Sequence, residues 1–577
     1  MFKRFAALVF TVLFIQTAVL AQSADYRRTL PVAQNGDAQA QYYIGMSHKN
    51  GWGGLQKEPR KAIKWLRLAS NQGHAGAASS LGYIYYNGYG SLDDPAKALT
   101  FFRRAAEKNN PDGWYGIGLI YYNGKGVKKS LSESIKWFKL AANSNDKDFG
   151  NRANAQNILG YLHTTFFGKL DRRQAIKWYV LAAEGDVADA YFQAAEIAKE
   201  LEDYKAAAKY YRAEADRGHH LAQIAIARMY WSGTGVRKSG RLAIKYFTLA
   251  ISERRFYNNT IQSSNPFANV GKLTAADLTE FIAKIYYAGV GSAPDYAQAV
   301  IWYEKAAELG QSGVRMRLGK MYYDGQGVKQ NYQKAKDHWT LATEEKKQSF
   351  GGGTPYVASF YLATLYLDGL LGPKDVPTAV KWLTKAASKG EINSQIRLAY
   401  IYGTGDGISS DPVQAAKWAR LAALAGHIDS QVNYGVALMQ GNGIPRDLPE
   451  ALRFTLMAAN QGDRTGQYNA GLSYDLGRGT KKNRAEAVKW FQKATDQGHV
   501  DAMADLARLY GPGQGDATDI EKAYMWASMA SNANKNHRWI GAYSANLARK
   551  LSKEQITQSE KRGQEWLDAF WARQDAK

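Results

Sequence analysis

The sequence of 577 residues contains no cysteine. Disulfide bonds, thiolate nucleophiles and thiolate metal ligands are therefore excluded as sources of stability or chemistry. A lipid-modified leader is excluded as well, because that modification needs a cysteine at the cleavage point. We expect a fold whose stability comes from packing, without covalent cross-links.

Long apolar runs are absent beyond residue 20, so no later stretch is predicted to cross a membrane, which takes roughly 20 apolar residues. The run Phe5–Leu20 follows Lys3 and Arg4 and precedes Ala21, which is the pattern of a secretory signal peptide. An uncleaved anchor is the alternative interpretation. We predict a signal peptide over 1–21 and a mature protein that is periplasmic or secreted, without an integral membrane segment.

Acidic residues are scarce, with 52 Asp and Glu against 75 Lys and Arg, which gives a net charge of +23. This excess favours anionic partners. Export argues against nucleic acid, so anionic glycans, lipid headgroups or acidic proteins fit the predicted compartment better. The alternative is a solvated, self-repelling surface that binds nothing.

Motifs for catalysis and metal binding are also missing. No two carboxylates stand in a general acid–base relation, and no serine lies in a nucleophile elbow. The recurring Gly-x-Gly sequences follow helices rather than strands, so they do not match a dinucleotide-binding fingerprint. Four histidines lie one repeat or more apart, too far to share a metal, and are predicted at helix starts or on the surface: His74, His219, His427 and His499. We expect no enzyme activity, no metal site and no cofactor.

One aromatic position recurs along nearly the whole chain, most often at an interval of 36 residues. Internal repeats of this length are typical of solenoids. The aromatic column, as aligned on the sequence, consists of Trp65, Phe101, Trp137, Trp178, Tyr210, Tyr246, Trp302, Trp339, Trp382, Trp418, Phe454, Trp490 and Trp526.

Each aromatic lies in a predicted second helix, and a first helix precedes it. In 61–69, Ala62, Trp65, Leu66 and Ala69 fall at i, i+3, i+4 and i+7 and form one buried stripe. A Gly-x-Gly turn joins the two helices, and a single glycine follows the second, because glycine accepts the positive φ of a tight reversal. The repeat is therefore helix, glycine-rich turn, helix, glycine turn.

This pattern resembles the Sel-one-like repeat (SLR) family, a relative of the tetratricopeptide repeats. One copy reads Leu318-Gly319, Tyr322, Gly325-Gln326-Gly327-Val328, Lys334-Ala335 and Trp339. The resemblance implies an all-α, right-handed superhelical solenoid of about thirteen helix-turn-helix repeats with a concave groove. It also implies an adaptor role in protein assemblies, and some exported relatives resemble polysaccharide-assembly factors or host-interaction proteins.

The predicted organisation has four parts. A signal peptide spans 1–21, an N-terminal capping segment 22–35, the repeat solenoid 36–533 and two C-terminal capping helices 534–577. The repeat around Tyr210 lacks the Gly-x-Gly turn and looks like an ordinary tetratricopeptide unit. An insertion at about 253–274 is either a tolerated loop or a binding face, and its candidate residues are Arg254, Arg255, Phe256 and Tyr257.

Two further sets of residues are candidate binding sites. One lies on the first helices, one residue past a Gly or Ala, and by analogy with tetratricopeptide grooves we expect it on the concave face: Tyr83, Tyr161, Arg228, Lys284, Lys320, Tyr400 and Arg508. The other follows the Gly-x-Gly turns and would meet an anionic partner or simply face solvent: Lys128, Lys129, Arg237, Lys238, Lys329, Lys481 and Lys482.

The preferred hypothesis is an exported scaffold that mediates protein–protein interactions in the bacterial cell envelope as an adaptor or regulator. The alternative is a glycan-binding accessory factor for polysaccharide or cell-wall assembly. A secreted protein that binds host receptors is a minor alternative.

Overall fold

The computed structural model describes residues 25–52, 55–166, 171–253, 273–344, 355–513, 518–534 and 539–575. Within these ranges all regular secondary structure is helical, which confirms the all-α prediction. The predicted signal peptide lies outside the described residues. The helices fall into two compact units, the first ending at Asp295 and the second beginning at Tyr296.

The first unit contains α1, six antiparallel helix pairs and α14. Its helices are α1 (25–34), α2 (Ala38–Asn50), α3 (Pro59–Asn71), α4 (Ala75–Tyr86), α5 (Pro95–Glu107), α6 (Pro111–Asn123), α7 (Leu131–Ala142), α8 (Arg152–Phe166), α9 (Arg172–Glu184), α10 (Ala190–Glu200), α11 (Tyr204–Asp216), α12 (His220–Ser232), α13 (Gly240–Glu253) and α14 (Ala275–Ala288).

The second unit contains α15, six further pairs and two terminal helices. Its helices are α15 (Tyr296–Glu308), α16 (Arg315–Asp324), α17 (Tyr332–Thr343), α18 (Pro355–Leu367), α19 (Val376–Ala387), α20 (Ile392–Thr404), α21 (Pro412–Leu424), α22 (Ile428–Gln440), α23 (Leu448–Asn460), α24 (Arg464–Leu476), α25 (Arg484–Thr495), α26 (Val500–Tyr510), α27 (Ile520–Ala533), α28 (Ile540–Ala548) and α29 (Lys553–Asp575).

Within each unit, the helices from α2 to α14 and from α15 to α28 each pack on the next one along the chain, so the pairs stack in sequence order, and α29 packs back on α27. The repeated helix-turn-helix prediction is therefore confirmed. The first glycine of each Gly-x-Gly turn ends a first helix in the left-handed conformation, as Gly124 does with φ 70°. The second glycine touches the preceding pair, because a Cβ at Gly126 would lie 2.6 Å from Pro95.

A close contact between a glycine and a large side chain holds the two helices of a pair together. A Cβ added to Gly82 of α4 would lie 2.5 Å from the ring of Phe102, which is fully buried. The same contact joins Gly471 of α24 to the buried Phe491 of α25. Only glycine lets the helix backbones approach this closely, so the small residue next to the first apolar position sets the packing distance.

All thirteen residues of the aromatic column are buried or half-buried, as expected. The alignment is wrong by one residue in α17. Tyr322 stacks on His338, with ring centroids 5.5 Å apart, just as Tyr85 stacks on Phe101 at 5.8 Å. Trp339 instead takes the inner position against Gly319. The structure therefore places His338 in the column.

A second repeated contact involves buried glutamines at the start of the first helices. The amide of Gln431 donates to the carbonyl of Ala423 at 3.1 Å, and its oxygen accepts from Gln461 at 2.8 Å. The bond to the end of the preceding second helix recurs at Gln41, Gln156, Gln223, Gln395 and Gln467. Most of these carbonyls also accept from the backbone N–H of a glycine three residues later, as Ala423 does from Gly426 at 3.1 Å, so the glutamine supplies a second donor that joins successive helices.

The pair α10 and α11 departs from the others. It has no Gly-x-Gly turn, and Glu202 takes a positive φ of 61° in the short connection. The hydroxyl of Tyr211, which is 1% exposed, donates to the buried carboxylate of Glu196. A polar bond inside this pair thus accompanies the shorter turn.

The ends of the repeat array are covered by additional helices. Tyr26 and Leu30 of α1 pack with Ile44 and Trp65. At the other end Leu547 is buried and Trp566 packs on Trp526, with ring centroids 5.6 Å apart. Trp539, directly before α28, is 37% exposed, and its ring meets that of Tyr543 edge-on with centroids 5.5 Å apart.

Candidate partner-binding surfaces

The predicted first-helix column lies at one register of the first helices, and its members differ in exposure. Tyr161 and Tyr400 are 46% and 56% exposed, although both carry large rings. Arg228 and Lys320 are also exposed. Tyr161, Arg228 and Tyr400 are thus available to a partner, one per helix on α8, α12 and α20, whereas Lys320 of α16 pairs with Asp324 at 2.7 Å.

Tyr83, in contrast, is half-buried and bonded within the chain. Its hydroxyl donates to Asp112 Oδ1 at 3.5 Å, and the amide of Asn151 donates to the same oxygen at 3.2 Å. Burial raises the pKa of Asp112 above its ordinary value and lowers that of Lys49 nearby. This polar cluster connects α4, α6 and the start of α8. Part of the role of Tyr83 is therefore structural.

Lys284 and Arg508 also have partners within the chain. Lys284 pairs with Glu280 at 2.7 Å. Arg508 pairs with Asp475 of α24 and with Asp505 at 3.1 Å, and the latter carboxylate also accepts from Tyr468. Burial raises the pKa of Asp505 above the ordinary aspartate value. Arg508 thus neutralises two carboxylates between neighbouring first helices.

The residues predicted to follow the Gly-x-Gly turns are all exposed. They form no ion pair with any residue that the structure describes. One of them, Lys129, lies over the ring of Tyr122 at 5.7 Å. We call this set the turn cations: Lys128, Lys129, Arg237 and Lys238 in the first unit, and Lys329, Lys481 and Lys482 in the second.

Aspartates lie one position after the turn cations in several repeats, at the N-cap of the second helix, where other repeats have Ser130 or Asn483. Asp94 accepts from the backbone N–H of Lys97 at 3.0 Å, and Asp447 accepts from that of Glu450 at 3.0 Å. Asp411 caps α21 in the same way. A carboxylate at this position stabilises the start of the second helix. The negative charge of these aspartates is therefore explained by helix capping.

Of the two positions predicted for the four histidines, the structure shows the helix start, where each is an N-cap. In each case ring Nδ1 accepts from a backbone N–H three residues later, as His74 does from Ala77 at 3.1 Å. His219, His427 and His499 make the equivalent bond. Burial lowers the pKa of His74 and of His499. Among the described residues, no group of three or more acidic or histidine side chains is placed to hold a metal ion.

Two further predictions concern the insertion and the absence of a membrane-spanning helix. Arg254, Arg255, Phe256 and Tyr257 of the insertion lie outside the described residues. In the part of the chain that is described, no helix has both the length and the apolar character that a membrane span requires.

The Sel1 repeat pattern matches twelve segments that together make up more than half of the chain. These are residues 38–74, 75–110, 114–146, 153–187, 220–253, 281–311, 315–346, 357–391, 392–427, 428–463, 465–499 and 500–535. The pair α10 and α11, which lacks the Gly-x-Gly turn, lies between the fourth and fifth segments.

Individual proteins are similar to parts or all of the chain. The alginate biosynthesis protein AlgK of Pseudomonas syringae pv. tomato is 32% identical over 103 residues, which cover 18% of this chain and 20% of AlgK. The match thus spans about a fifth of that relative. A protective antigen of uropathogenic Escherichia coli with an SLR fold is 24% identical, with a TM-score of 0.39, over 96% of this chain and 97% of its own. A Sel1 repeat protein from Oxalobacter formigenes is 20% identical, with a TM-score of 0.37, over 68% of this chain and 93% of its own.

Proposed function

The chain belongs to the Sel1 repeat family, and from that premise we propose that it is an exported scaffold that holds protein partners in the bacterial cell envelope. The observation that carries the proposal is the exposure of Tyr161 and Tyr400 at one register of the first helices. Tyrosine and arginine are enriched at the centres of protein interfaces, where a ring supplies contact area and a polar tip. The exposed Arg228 shares that register.

The interior of the repeats supports a scaffold role. Glycine–ring contacts and buried glutamines recur from pair to pair, and they fix the positions of the helices before any partner binds. Side chains on rigid helices lose little freedom on binding, which favours affinity. The export part of the proposal rests on the sequence of residues 1–21.

Affinity capture from envelope extract with the tagged full chain tests the proposal. We expect retention of one or a few proteins at high salt, because the contact involves rings more than charges. The double substitution Tyr161→Ser and Tyr400→Ser should reduce this capture by about tenfold, or about 1.4 kcal/mol.

A matched control uses Tyr204→Ser, since Tyr204 is 40% exposed but lies at the start of a second helix. This variant should capture as much as the unaltered chain does. Equal loss in the control and in the double variant, or no specific capture by the unaltered chain, would contradict the proposal.

The second candidate is a glycan-binding accessory factor for polysaccharide or cell-wall assembly. Two observations favour it: the exposed turn cations, and the similarity of 103 residues to an alginate biosynthesis protein. Charge reversal of Lys128, Lys129, Lys481 and Lys482 should then abolish a salt-sensitive binding of acidic glycan. Unchanged glycan binding by this variant would exclude the turn cations as the site.

A further inference from the structure

A second set of cations lies on the second helices, at the position directly before the aromatic column. Nine of the thirteen repeats carry Lys or Arg there, and all nine side chains are exposed: Lys64, Lys136, Lys177, Lys209, Lys245, Lys381, Lys417, Arg453 and Lys489. The aromatic column fixes the register of these helices, so each cation takes the same place on its own helix.

The last four of these residues come from consecutive repeats of the second unit, on α19, α21, α23 and α25. They follow one another at intervals of 36 residues. We call Lys381, Lys417, Arg453 and Lys489 the cation ladder. The four helices that carry them contain eight basic and two acidic residues.

The paired first helices have no such excess. The helices α18, α20, α22 and α24 contain two basic and two acidic residues. The positive charge of these repeats is therefore concentrated on one side of each pair. A uniform charge of this kind is unfavourable by self-repulsion unless an anion compensates it.

Aromatic rings hold two of the four ladder cations, and two further lysines on α19 and α25, against the protein surface. The Lys417 ammonium lies 5.0 Å from the ring centre of Trp418, and the Arg453 guanidinium lies 4.5 Å from that of Phe454. On the neighbouring turn of the same helices, Lys385 and Lys493 lie over Trp382 and Trp490 at 5.1 and 4.1 Å. Cation–π contacts restrict long side chains, so less freedom is lost when an anion binds.

Carboxylates of the chain neutralise the cation ladder only in part. Arg453 pairs with Glu450, and Lys489 pairs with Glu486 at 3.4 Å. These pairs lie on exposed helix surface, where an ion pair contributes little. Lys381 and Lys417 form no ion pair with any described residue. The surface thus keeps a net positive charge along its length.

We propose that the cation ladder is a docking surface for a linear polysaccharide that carries carboxylate groups at regular intervals. A row of positive charges along successive repeats is complementary in sign to a linear polymer that carries many carboxylates. Lysine predominates in the set, whereas arginine is the residue favoured for phosphate and nucleic-acid recognition. The rings of the column are buried or covered by cations, so they offer no platform for base stacking.

The inference extends the second candidate function to a different surface, and it does not depend on the protein partner. It places the acidic glycan on the outer side of the second helices rather than at the turns. Variants of the two surfaces therefore separate the two ideas.

Binding of the full chain to a polyuronate, polygalacturonate, can be measured by calorimetry at low and high salt. The unaltered chain should bind the polymer, bind more weakly as salt increases, and ignore dextran, which is uncharged. The triple substitution Lys381→Gln, Lys417→Gln and Lys489→Gln should weaken binding by about tenfold, or about 1.4 kcal/mol.

A control removes the same amount of charge from exposed lysines elsewhere in the second unit, with Lys389→Gln, Lys550→Gln and Lys553→Gln. It should bind within about twofold of the unaltered chain, or about 0.4 kcal/mol. Both triple variants should melt normally, because exposed substitutions change stability by no more than about 0.5 kcal/mol.

Three outcomes would overturn the proposal: no polyuronate binding by the unaltered chain, equal weakening by the two triple variants, or tighter binding of single-stranded DNA than of polyuronate at equal salt. Loss of binding only in the turn-cation variant would support the second candidate function and reject the cation ladder.

Discussion

The pair α4 and α5 and the pair α24 and α25 share one interior contact and differ in the residue that caps the first helix. Gly82 meets Phe102 in the first pair as Gly471 meets Phe491 in the second, with the same separation of 2.5 Å. Outside this contact, His74 caps α4 whereas Asp463 caps α24. The comparison teaches that the packing geometry is fixed by a few interior positions, which leaves the surfaces free to carry function.

Breaking the shared glycine–ring contact should have the largest effect on the free energy of unfolding. Gly82→Leu and Gly471→Leu would each force a side chain into a fully buried ring, at a cost of about 3 kcal/mol in the free energy of unfolding. Gly150→Leu is the control, since no atom lies within 4 Å of a Cβ there, and it should cost about 0.5 kcal/mol or less. Thermal or urea unfolding measures all three. Similar stability of the Gly82 and Gly150 variants would refute the interior contact.

The buried glutamine distinguishes the two pairs, because α24 has Gln467 where α4 has Ala78. Gln467→Ala removes the bond to the Ala459 carbonyl and the bond that its oxygen accepts from Gln497, whose amide keeps its bond to the Gly462 carbonyl. We expect a loss of about 1.5 kcal/mol in unfolding free energy, the net contribution of two hydrogen bonds whose other groups keep a partner. Gln440→Ala, at an exposed glutamine, should leave the stability within about 0.5 kcal/mol of the unaltered chain. Equal effects of the two substitutions would contradict this role.

The two pairs should also differ in how their stability depends on pH, because a histidine caps α4 and an aspartate caps α24. Nδ1 of His74 can accept from Ala77 only while it is unprotonated. Burial lowers the pKa of His74, so below about pH 6.5 the unfolded chain takes up a proton that the folded chain does not, and stability falls. We expect α4 to lose about 1 kcal/mol of local stability between neutral and mildly acidic pH, read from hydrogen exchange of the Ala77 amide.

His74→Asn tests the cap directly, because asparagine can accept the same bond and does not titrate. Protection of the Ala77 amide should then change less with pH than in the unaltered chain. An unchanged pH dependence in this variant would assign the effect to another group.

Exchanging the exposed residue before the aromatic column should have the smallest effect. Lys489→Thr in the second pair should weaken polyuronate binding about threefold, as expected for one exposed ion pair, whereas Thr100→Lys in the first pair, which lies outside the cation ladder, should leave binding unchanged. Neither change should shift the melting temperature. A larger loss from Lys489→Thr accompanied by unfolding would show that Lys489 is structural rather than a binding residue.

Much of the fold could be predicted from the sequence, because its determinants are local and periodic. The glycine turns, the helix pairs and the histidines at helix starts follow from spacing alone. The register in α17 could not, since an aromatic alignment selects Trp339 over His338, and only the stacking on Tyr322 shows which residue occupies the column.

The surfaces were harder to predict. Tyr400 is exposed, whereas Tyr83 at the same register is half-buried and bonds to Asp112 on the next first helix. That bond depends on how neighbouring repeats pack, which no single repeat encodes. The cation ladder was visible in the sequence as basic residues before Trp382, Trp418, Phe454 and Trp490, but its exposure needed the structure.

The most direct test of the account is photo-crosslinking from single positions in living cells. A photoreactive phenylalanine analogue at position 400 should yield a protein adduct, because that ring faces outward on a first helix. The same analogue at position 417, on the second-helix side, should yield no protein adduct. Protein adducts from position 417 but none from position 400 would contradict the assignment of protein partners to the first-helix face.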